Sequence, residues 1–267
     1  MIDVTVTGVS GRMGRQLAKA VEENDRTRLV GATVIEGDPW AGQRMRDVLD
    51  LETDIVVEVD PLEAIARSDA IIDFTAPQAT HDHATLAAQA GAAHVIGTTG
   101  LEADTLAHLS RCAVHTKIVR AGNFSLGVNL LTVLTRKVAA ALGPEFDIEI
   151  VEMHHRHKVD APSGTALMLG EAAAEGRGID LAAHTESGRH GLTGAREEGA
   201  IGFAALRGGA VIGEHSAIFA STGERITLGH IAEDRMLFAR GAVTAAIWAH
   251  AQKPGEYDMI DVLGLRD

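Results

Sequence analysis

Residues 2–22 read IDVTVTGVSGRMGRQLAKAVE and indicate the fold class most clearly. Residues 2–7 alternate β-branched and polar side chains, which predicts a strand. Residues 8–14 follow at once and are rich in glycine, which predicts a tight turn. Apolar side chains then recur at helical spacing over residues 16–24. The chain is therefore predicted to begin with a strand, a glycine turn and a helix.

The glycine turn has two interpretations. Gly8, Gly11 and Gly14 form a GxxGxxG pattern, and many glycine turns serve structure alone. A glycine turn between a first strand and a first helix also lets the backbone approach a pyrophosphate, which the free N–H groups of the helix bind. This position in the chain favours dinucleotide binding. Glu36 closes the next predicted strand, where an acid can accept hydrogen bonds from a ribose, although a solvated carboxylate explains it equally well.

Strands and helices alternate over the first half of the chain. Further strands are predicted within residues 29–36, 54–59, 69–75, 93–100 and 117–125. Residues 80–92 and 101–112 are predicted helices. The alternation predicts an α/β fold with an N-terminal Rossmann-like, doubly wound parallel sheet. Residues 97–100 (GTTG) follow one of these strands, where Thr98 and Thr99 could bond a nicotinamide, although the residues alone favour a plain turn.

The pattern changes in the second half. Residues 126–142 predict a long helix, residues 146–155 a strand, and residues 175–199 the end of a helix followed by a loop. Three β-like runs and a helix follow, at residues 201–208, 210–221, 224–232 and 235–252. Runs this close together, with no helix between them, predict antiparallel or mixed pairing. We therefore expect a second, mixed-sheet α/β domain.

Residues 152–166 (EMHHRHKVDAPSGTA) are the most informative stretch of the chain. The run 154–158 (HHRHK) concentrates positive charge in an acidic protein, which suits a substrate with one or more carboxylates. Lys158 can serve as a general acid, because burial or neighbouring cations lower the pKa of a lysine. Residues 163–165 (SGT) precede a helical run, where free N–H groups and a hydroxyl can bind an anion.

Two alternatives to an anion site remain for this run. Its histidines could ligate a metal, but His154 and His155 would point to opposite faces of a strand and the neighbouring cations would repel a metal ion, so we expect no metal site. A solvated basic loop is the other alternative. Elsewhere, His81 and His83 are predicted to lie on the surface at a helix start, and Cys112 is predicted to be a buried small hydrophobe.

Composition limits the partners. The formal net charge of −13 over 267 residues would repel a nucleic acid from most of the surface. No apolar run approaches the roughly 20 residues that span a bilayer, and the chain does not begin like a signal peptide. The single cysteine fits a reducing compartment. We expect a cytoplasmic protein with neither nucleic-acid nor membrane partners.

Five stretches of this sequence, in this order, resemble the 4-hydroxy-tetrahydrodipicolinate reductase family. They are GVSGRMGRQ (8–16), DFTAP (73–77), VIGTTG (95–100), AGNFSLGVN (121–129) and HHRHKVDAPSGTA (154–166). The last of them is very specific, and further stretches extend the resemblance over essentially the whole chain. It implies reduction of 4-hydroxy-tetrahydrodipicolinate, through dihydrodipicolinate, to tetrahydrodipicolinate in lysine and diaminopimelate biosynthesis. The reductant would be NADH or NADPH, and the substrate is a cyclic dicarboxylate.

The resemblance also implies roles for individual residues. His154 and Lys158 match the catalytic positions of the family, with Lys158 as the proton donor, and His155, Gly164 and Thr165 match positions that bind substrate carboxylates. The implied cofactor positions are Gly8, Val9, Ser10, Gly11, Arg12 and Met13 at the pyrophosphate, Glu36 at the adenosine ribose, and Gly97, Thr98, Thr99, Ala121, Gly122, Asn123 and Phe124 at the nicotinamide. The implied dinucleotide-binding domain is 1–125 plus 235–267, and 126–234 would bind substrate and build a homotetramer.

The sequence departs from the family at two positions. Many relatives have an arginine after the ribose-binding acid, where it can meet the 2′-phosphate of NADPH, whereas this chain has Gly37. Many also carry arginine or lysine after DFT, where this chain has Ala76. Glu36 would itself repel a 2′-phosphate, and Arg12 could compensate in part. We therefore predict that NADH is used at least as well as NADPH.

Two other classes of protein share some of these features. A different Rossmann-type reductase would share the first domain, but those that act through a thioester need a cysteine in a loop, and Cys112 lies at a predicted helix end. A non-catalytic NAD(H)-sensing protein would keep the glycine turn and Glu36, but it has no need of HHRHK followed by SGT. A turnover assay separates these alternatives.

Overall fold

The computed structural model describes residues 1–266. The strands are β1 (Ile2–Thr7), β2 (Thr27–Thr33), β3 (Ala70–Asp73), β4 (Ala93–Ile96), β5 (Lys117–Arg120), β6 (Asp147–His154), β7 (Thr185–Ser187), β8 (Ile201–Arg207), β9 (Gly213–Ala220), β10 (Arg225–Ala232) and β11 (Gly255–Tyr257). The helices are α1 (Arg12–Glu22), α2 (Met45–Leu49), α3 (Pro61–Ala66), α4 (Pro77–Ala90), α5 (Ala103–Cys112), α6 (Leu126–Ala141), α7 (Gly164–Arg177), α8 (Leu181–His184), α9 (Met236–His250) and α10 (Met259–Val262).

The chain divides into two compact units. The first unit is Met1–Ser125 together with the chain from Met236 onward, and the second unit is Leu126–Arg235. The C-terminal segment joins the first unit through β11, which pairs in parallel with β5. Each unit has its own sheet and its own buried core.

The first unit is built on a six-stranded sheet in the order β11-β5-β4-β3-β1-β2. All of its strand pairs are parallel, and both faces are covered, as a parallel sheet requires. Ala70 and Ile72 of β3 pack into the cluster that contains α1 and α9, whereas Ile71 packs towards α3 and α4. The predicted Rossmann-like, doubly wound sheet is thus confirmed.

Two strand predictions in this unit were wrong. Residues 54–59 form isolated bridges, from Val56 to Arg44 and from Glu58 to Thr33, instead of a sheet strand. Val56 and Val59 are more than two-fifths exposed, so this apolar run has no sheet face to cover it. The second strand ends at Thr33 and not at Glu36, because the Val34 N–H donates to the Glu58 carbonyl outside the sheet.

The second unit has a five-stranded sheet in the order β10-β9-β6-β8-β7. Strand β6 runs parallel to β8 and antiparallel to β9, so the predicted mixed sheet is confirmed. Helices α6 and α7 cover one face, where Ile148 and Ile150 are buried. Because side chains alternate along a strand, Glu152 and His154 lie on this same covered face. The predicted loop 175–199 contains two short elements, α8 and the polar strand β7, which its composition hid.

Within residues 1–266, the helices are too short or too polar to cross a lipid bilayer.

Candidate active site

The glycine turn packs tightly against its neighbours. Gly8 has φ +64°, and a Cβ there would lie 2.8 Å from the methyl carbon of Thr75. A Cβ on Gly14 would collide with the Gly8 carbonyl oxygen, so glycine lets α1 start directly against the turn. Gly11 is the N-cap of α1, and in the described chain no side chain caps it. The N–H groups of the first helical turn, at Arg12 and Met13, are thus available to a pyrophosphate.

A second carboxylate accompanies Glu36 at the end of β2. Glu36 is exposed, and Gly37 has φ +81°, a conformation that an arginine would adopt only with strain. Asp38 accepts hydrogen bonds from the Ser10 hydroxyl (2.6 Å) and the Trp40 N–H (2.8 Å). The acidic loop is therefore tied directly to the glycine turn. The sequence reasoning missed Asp38, although it lies in the same loop as Glu36.

The cations near this loop are differently placed. Arg15 lies 4.7 Å above the Trp40 ring, and its Nε donates to the Ser10 carbonyl at 2.8 Å. Arg12 is exposed. The hydrogen bond and the stacking on Trp40 fix Arg15 in place, whereas the exposed Arg12 side chain can approach a bound nucleotide.

A buried carboxylate connects the loops after β3 and β4. Asp73 Oδ2 lies 3.0 Å from His83 Nδ1 and 3.2 Å from His94 Nε2. Its Oδ1 accepts from the Thr75 N–H at 3.0 Å, and that N–H also donates to Thr98 Oγ1 at 3.1 Å. His83 is therefore buried beside Asp73, and the prediction that it lies on the surface was wrong. A carboxylate at the end of β3 provides the partner that the sequence pattern did not show.

This cluster holds a negative charge in the core of the first unit. Burial alone would raise the pKa of Asp73, but the hydrogen bonds from His83 and His94 outweigh it and lower the pKa. Burial also lowers the pKa of His94, so that ring is neutral. His94 Nδ1 is buried and has no hydrogen-bond partner within residues 1–266. We infer that Nε2 carries the His94 proton and donates it to Asp73, because an acceptor-only carboxylate requires a donor there.

The predicted nicotinamide positions fall into two groups. The side chains of Thr98 and Phe124 are buried: Thr98 bonds Thr80 at 2.8 Å, and the Phe124 ring packs 5.3 Å from Phe74. The Asn123 side chain accepts from the Ser125 N–H at 2.8 Å. A cavity of about 270 Å³ is lined by Thr98, Thr99, Gly100, Leu101, Leu106, Arg120, Ala121 and Gly122. A nicotinamide would therefore meet backbone groups and Thr99 here, while the Thr98 side chain holds the loop. Gly97 provides room for the Phe74 ring behind it.

In the second unit, the basic run follows directly from β6. His154 is the last residue of the strand, and the Lys158 N–H donates to the His155 carbonyl at 3.1 Å, which closes a turn. The Lys158 ammonium lies 2.8 Å from an Asp160 carboxylate oxygen. This contact lowers the pKa of Asp160. Burial lowers the pKa of His155, and the nearby positive groups, Arg235 first among them, lower it further. Several positive groups at this turn therefore act on His155.

Helix α7 begins beside this turn. Ser163 is its N-cap and accepts from the Ala166 N–H at 3.2 Å. Gly164 is exposed, and a Cβ there would meet open space. Thr165 lies in the same first turn. The N-terminus of a 14-residue helix thus adjoins the basic run, an arrangement that favours a bound carboxylate.

A second buried carboxylate supports His154. Glu152 Oε2 lies 2.6 Å from His154 Nδ1, and its Oε1 accepts from the Ser163 N–H at 3.1 Å. Arg207 donates a hydrogen bond to each carboxylate oxygen of Glu152, at 2.7 and 2.8 Å. Sequence reasoning missed both residues. The signal was available for Glu152, because it precedes His154 by two positions in a strand and must share its buried face.

Two family models cover almost the whole chain. The model described as Dihydrodipicolinate reductase, N-terminus, matches residues 2–124, and the model described as Dihydrodipicolinate reductase, C-terminus, matches residues 127–263. The chain belongs to the dihydrodipicolinate reductase family. The family boundary falls at residues 124–127, where the first unit gives way to the second.

Named relatives of this reductase family are similar over the full length. The chain is 59% identical over 263 residues to a 4-hydroxy-tetrahydrodipicolinate reductase of Cereibacter sphaeroides, and 98% of each chain is covered. It is 57% identical to the enzyme of that name from Ruegeria pomeroyi, again with 98% of each chain covered. A dihydrodipicolinate reductase from Paenisporosarcina sp. TG-14, solved with dipicolinate bound, matches with a TM-score of 0.77 and 27% identity, covering 98% of each chain.

The structure brings the predicted family residues into one group in each unit. The first unit gathers the glycine turn, Glu36 and the loops after β4 and β5 at the carboxyl ends of the parallel strands, where such sheets bind ligands. The second unit gathers His154, His155 and Lys158 beside the start of α7. Within the described residues, no cluster of His, Cys, Asp and Glu is arranged to hold a metal ion.

Proposed function

We propose that this chain reduces 4-hydroxy-tetrahydrodipicolinate, through dihydrodipicolinate, to tetrahydrodipicolinate in lysine and diaminopimelate biosynthesis, with NADH or NADPH as reductant. Membership of the family supports this reaction. The structural observation that carries it is the pairing of the basic run 154–158 with the N-terminus of α7. That combination offers two kinds of anion-binding group together, which suits a small ring bearing two carboxylates.

The predicted site residues of the second unit then have separate chemical roles. His155, Gly164 and Thr165 bind the carboxylates and so position the ring, and positioning alone can be worth several kcal/mol of barrier. Lys158 donates the proton that the reduced carbon skeleton requires. A substrate carboxylate competes with Asp160 for its ammonium, which lies 2.8 Å from that residue in the free protein. A reduced nicotinamide bound by the first unit supplies the hydride to the conjugated cyclic imine.

The acidic loop after β2 favours NADH over NADPH. Asp38 and Glu36 place two carboxylates near the ribose position, and Ser10 is already bonded to Asp38. Gly37 at φ +81° and Ala76 supply no cation for a 2′-phosphate. Arg15 is held against Trp40, which leaves Arg12 to compensate in part. We expect the catalytic efficiency with NADH to equal or exceed that with NADPH, and a preference for NADPH of about tenfold, or 1.4 kcal/mol, would contradict this.

We also propose that the protein forms a homotetramer through the open face of the second sheet. Strand register places Val151, Met153, Ile218, Leu206 and Ile231 on the face away from α6 and α7. Leu206 and Ile231 are 51% and 64% exposed in the single chain. Exposed apolar side chains on an open sheet face favour a protein interface, and a second copy is the partner that the family resemblance implies.

We place the reaction in the cytoplasm. The only cysteine, Cys112, is unpaired and buried, as suits a reducing compartment. A reaction that consumes a reduced pyridine nucleotide also needs the compartment where that nucleotide is regenerated.

The test of the proposed reaction is a coupled turnover assay. A dihydrodipicolinate synthase generates the unstable substrate in place, and loss of the reduced-nicotinamide absorbance is followed with NADH and NADPH side by side. We expect substrate-dependent oxidation that falls by roughly 10²- to 10⁴-fold in Lys158→Ala, the range of general acid catalysis. Val159→Ala, next to it and 98% exposed, is the matched control and should retain wild-type turnover. Tight NADH binding without turnover would instead favour an NAD(H)-sensing protein.

A further inference from the structure

We propose that Glu152, clamped by Arg207, is a positioning residue that fixes the proton on His154 Nδ1 and leaves Nε2 as the reactive nitrogen. The inference rests on the proposed function, because it assigns a task within the same site. It starts from the Glu152 carboxylate, which is 1% exposed in the core of the second unit. A buried charge of this kind is strongly destabilising unless it is fully paired.

The carboxylate is fully paired. Oε2 accepts hydrogen bonds from His154 Nδ1 (2.6 Å) and from one Arg207 nitrogen (2.7 Å). Oε1 accepts from the other Arg207 nitrogen (2.8 Å) and from the Ser163 N–H (3.1 Å). These four partners fill the acceptor sites that a carboxylate offers. Burial alone would raise the pKa of Glu152, but the hydrogen bonds from Arg207 and His154 outweigh it and lower the pKa. Glu152 is therefore an anion that can only accept.

An acceptor-only partner decides the tautomer of His154. Because Glu152 has no proton to give, the short contact at Nδ1 requires that His154 donates there, in its neutral and its charged form alike. Any proton that His154 exchanges with a ligand then moves at Nε2. That atom is 3.0 Å from the place where a Cβ on Gly213 would stand, so glycine leaves the space beside it open. The neighbouring His215 has a pKa lowered to about 4 by burial and by His154, so it adds no competing charge near neutrality.

Arg207 connects this pair to the loop that carries Lys158. It lies directly opposite His154 in the β6–β8 register. Besides its two bonds to Glu152, its Nη2 donates to the Asp160 carbonyl at 2.7 Å. One guanidinium therefore fixes the carboxylate behind His154 and the backbone two residues after Lys158. The planar fork of arginine makes both contacts, which a lysine at this position would not reproduce.

The kinetic test uses Glu152→Gln, which keeps the shape and removes the charge. With either orientation of the amide, an NH₂ group faces N–H donors and the anion beside His154 is lost. We expect kcat to fall about 100-fold, within the range of general acid–base catalysis, while KM for the cyclic substrate changes less than about threefold. Arg207→Lys should lower kcat by about tenfold for the same reason. Wild-type kcat in Glu152→Gln, or a loss confined to KM, would overturn the proposal.

The matched control is Glu175→Gln. Glu175 also belongs to the second unit, near the end of α7, and is also paired with an arginine, at 3.1 Å to Arg136. Its side chain is 65% exposed, so its substitution should leave kcat within about twofold, as surface changes commonly do. Turnover by the wild-type protein is measured first, so failure of the reaction itself is distinguished from failure of this assignment.

A spectroscopic measurement tests the tautomer in the wild-type protein and needs no variant of Glu152. Long-range nitrogen–proton spectra of protein labelled in its histidines, with the His154 signals assigned by substitution, report which ring nitrogen carries the proton. We expect His154 to be protonated at Nδ1 throughout the neutral range. A neutral His154 ring protonated only at Nε2 would overturn the proposal even if Glu152→Gln did not fold.

Discussion

Individual residues carry the chemistry of this protein through a small number of buried charges. Glu152 and Asp73 are each almost fully buried carboxylates, and each is bonded to at least one histidine. Removal of one partner from such a pair commonly costs about 3–5 kcal/mol, because the remaining charge stays buried. In the basic run, His154 contacts Glu152 directly, and Arg207 links that carboxylate to the Asp160 backbone beyond Lys158. The sequence run 154–158 identifies these side chains, whereas the pairing of Glu152 with Arg207 depends on the fold.

A pH-dependent stability follows from His215, which is 4% exposed and has a pKa lowered to about 4 by burial. The unfolded chain binds a proton at this ring below the ordinary value of about 6.5, and the folded chain does not. Stability is thus fully present above about pH 6.5 and falls as the pH drops from there to about 4, by on the order of 2–3 kcal/mol from this residue.

Denaturant unfolding at pH 7.5 and pH 5 tests this expectation in the wild type and in His215→Gln. The wild type should lose more free energy of unfolding between the two pH values than the variant, which has no group to protonate there. Equal losses would show that His215 titrates normally in the folded protein.

The residues that sequence reasoning missed share a physical cause. Asp38, Glu152 and Arg207 reach the site through contacts between segments that are distant in sequence or through burial that depends on the whole sheet. His83 was predicted at the surface because a helix start with polar neighbours is normally exposed. Its partner, Asp73, belongs to a strand ten residues earlier, and only the fold brings the two together.

At the scale of elements, the ends of β3 and β4 are coupled by Asp73. The same carboxylate contacts Thr75 after one strand and, through the Thr75 N–H, the Thr98 hydroxyl after the next. Thr75 also supplies the methyl group that packs against Gly8. The loops proposed to bind the nucleotide therefore share one anchor.

Substitution of Asp73 should weaken nucleotide binding as well as the fold. We expect Asp73→Asn to lower the free energy of unfolding by about 3 kcal/mol, since the amide NH₂ group leaves a buried hydrogen-bond donor of the cluster without its acceptor. The dissociation constant for NADH should rise by about tenfold, or 1.4 kcal/mol, as the loops lose their common anchor. Calorimetric titration measures the dissociation constant for NADH. Asp104→Asn, on the exposed start of α5, is the control. An unchanged affinity for NADH in a folded variant would contradict the coupling.

Helices and strands were predictable where the hydrophobic pattern of the sequence is strong and depends little on contacts with the rest of the sheet. The strand–glycine turn–helix opening, the long helices α6 and α9 and the β6 strand lie close to their predicted positions. Short elements such as α2, α3 and β7 were not predicted, because a few residues show no clear hydrophobic period. The run 54–59 has strand-like composition, but tertiary structure leaves it outside the sheet and determines its conformation.

At the scale of the whole molecule, the second sheet leaves an apolar face open in the single chain. We expect Ile231→Glu to weaken the proposed tetramer, because a charge placed in an apolar interface must be desolvated. Light scattering coupled to size exclusion should then show smaller species than the wild type at the same concentration. Val114→Glu is the control, since Val114 is 71% exposed on the first unit. A wild type that is monomeric at micromolar concentration would contradict the assembly.

Hydride transfer to the cyclic substrate is the reaction proposed for the whole protein, and the transfer of an isotope label tests it. The protein is incubated with the cyclic substrate, made by a dihydrodipicolinate synthase, and with a reduced nicotinamide nucleotide that carries deuterium at the transferable position. The mass of the reduced product is then measured by mass spectrometry. We expect tetrahydrodipicolinate with a single deuterium, formed by the wild type and almost absent with Lys158→Ala. Unlabelled product, or no product while the nucleotide binds tightly, would contradict it.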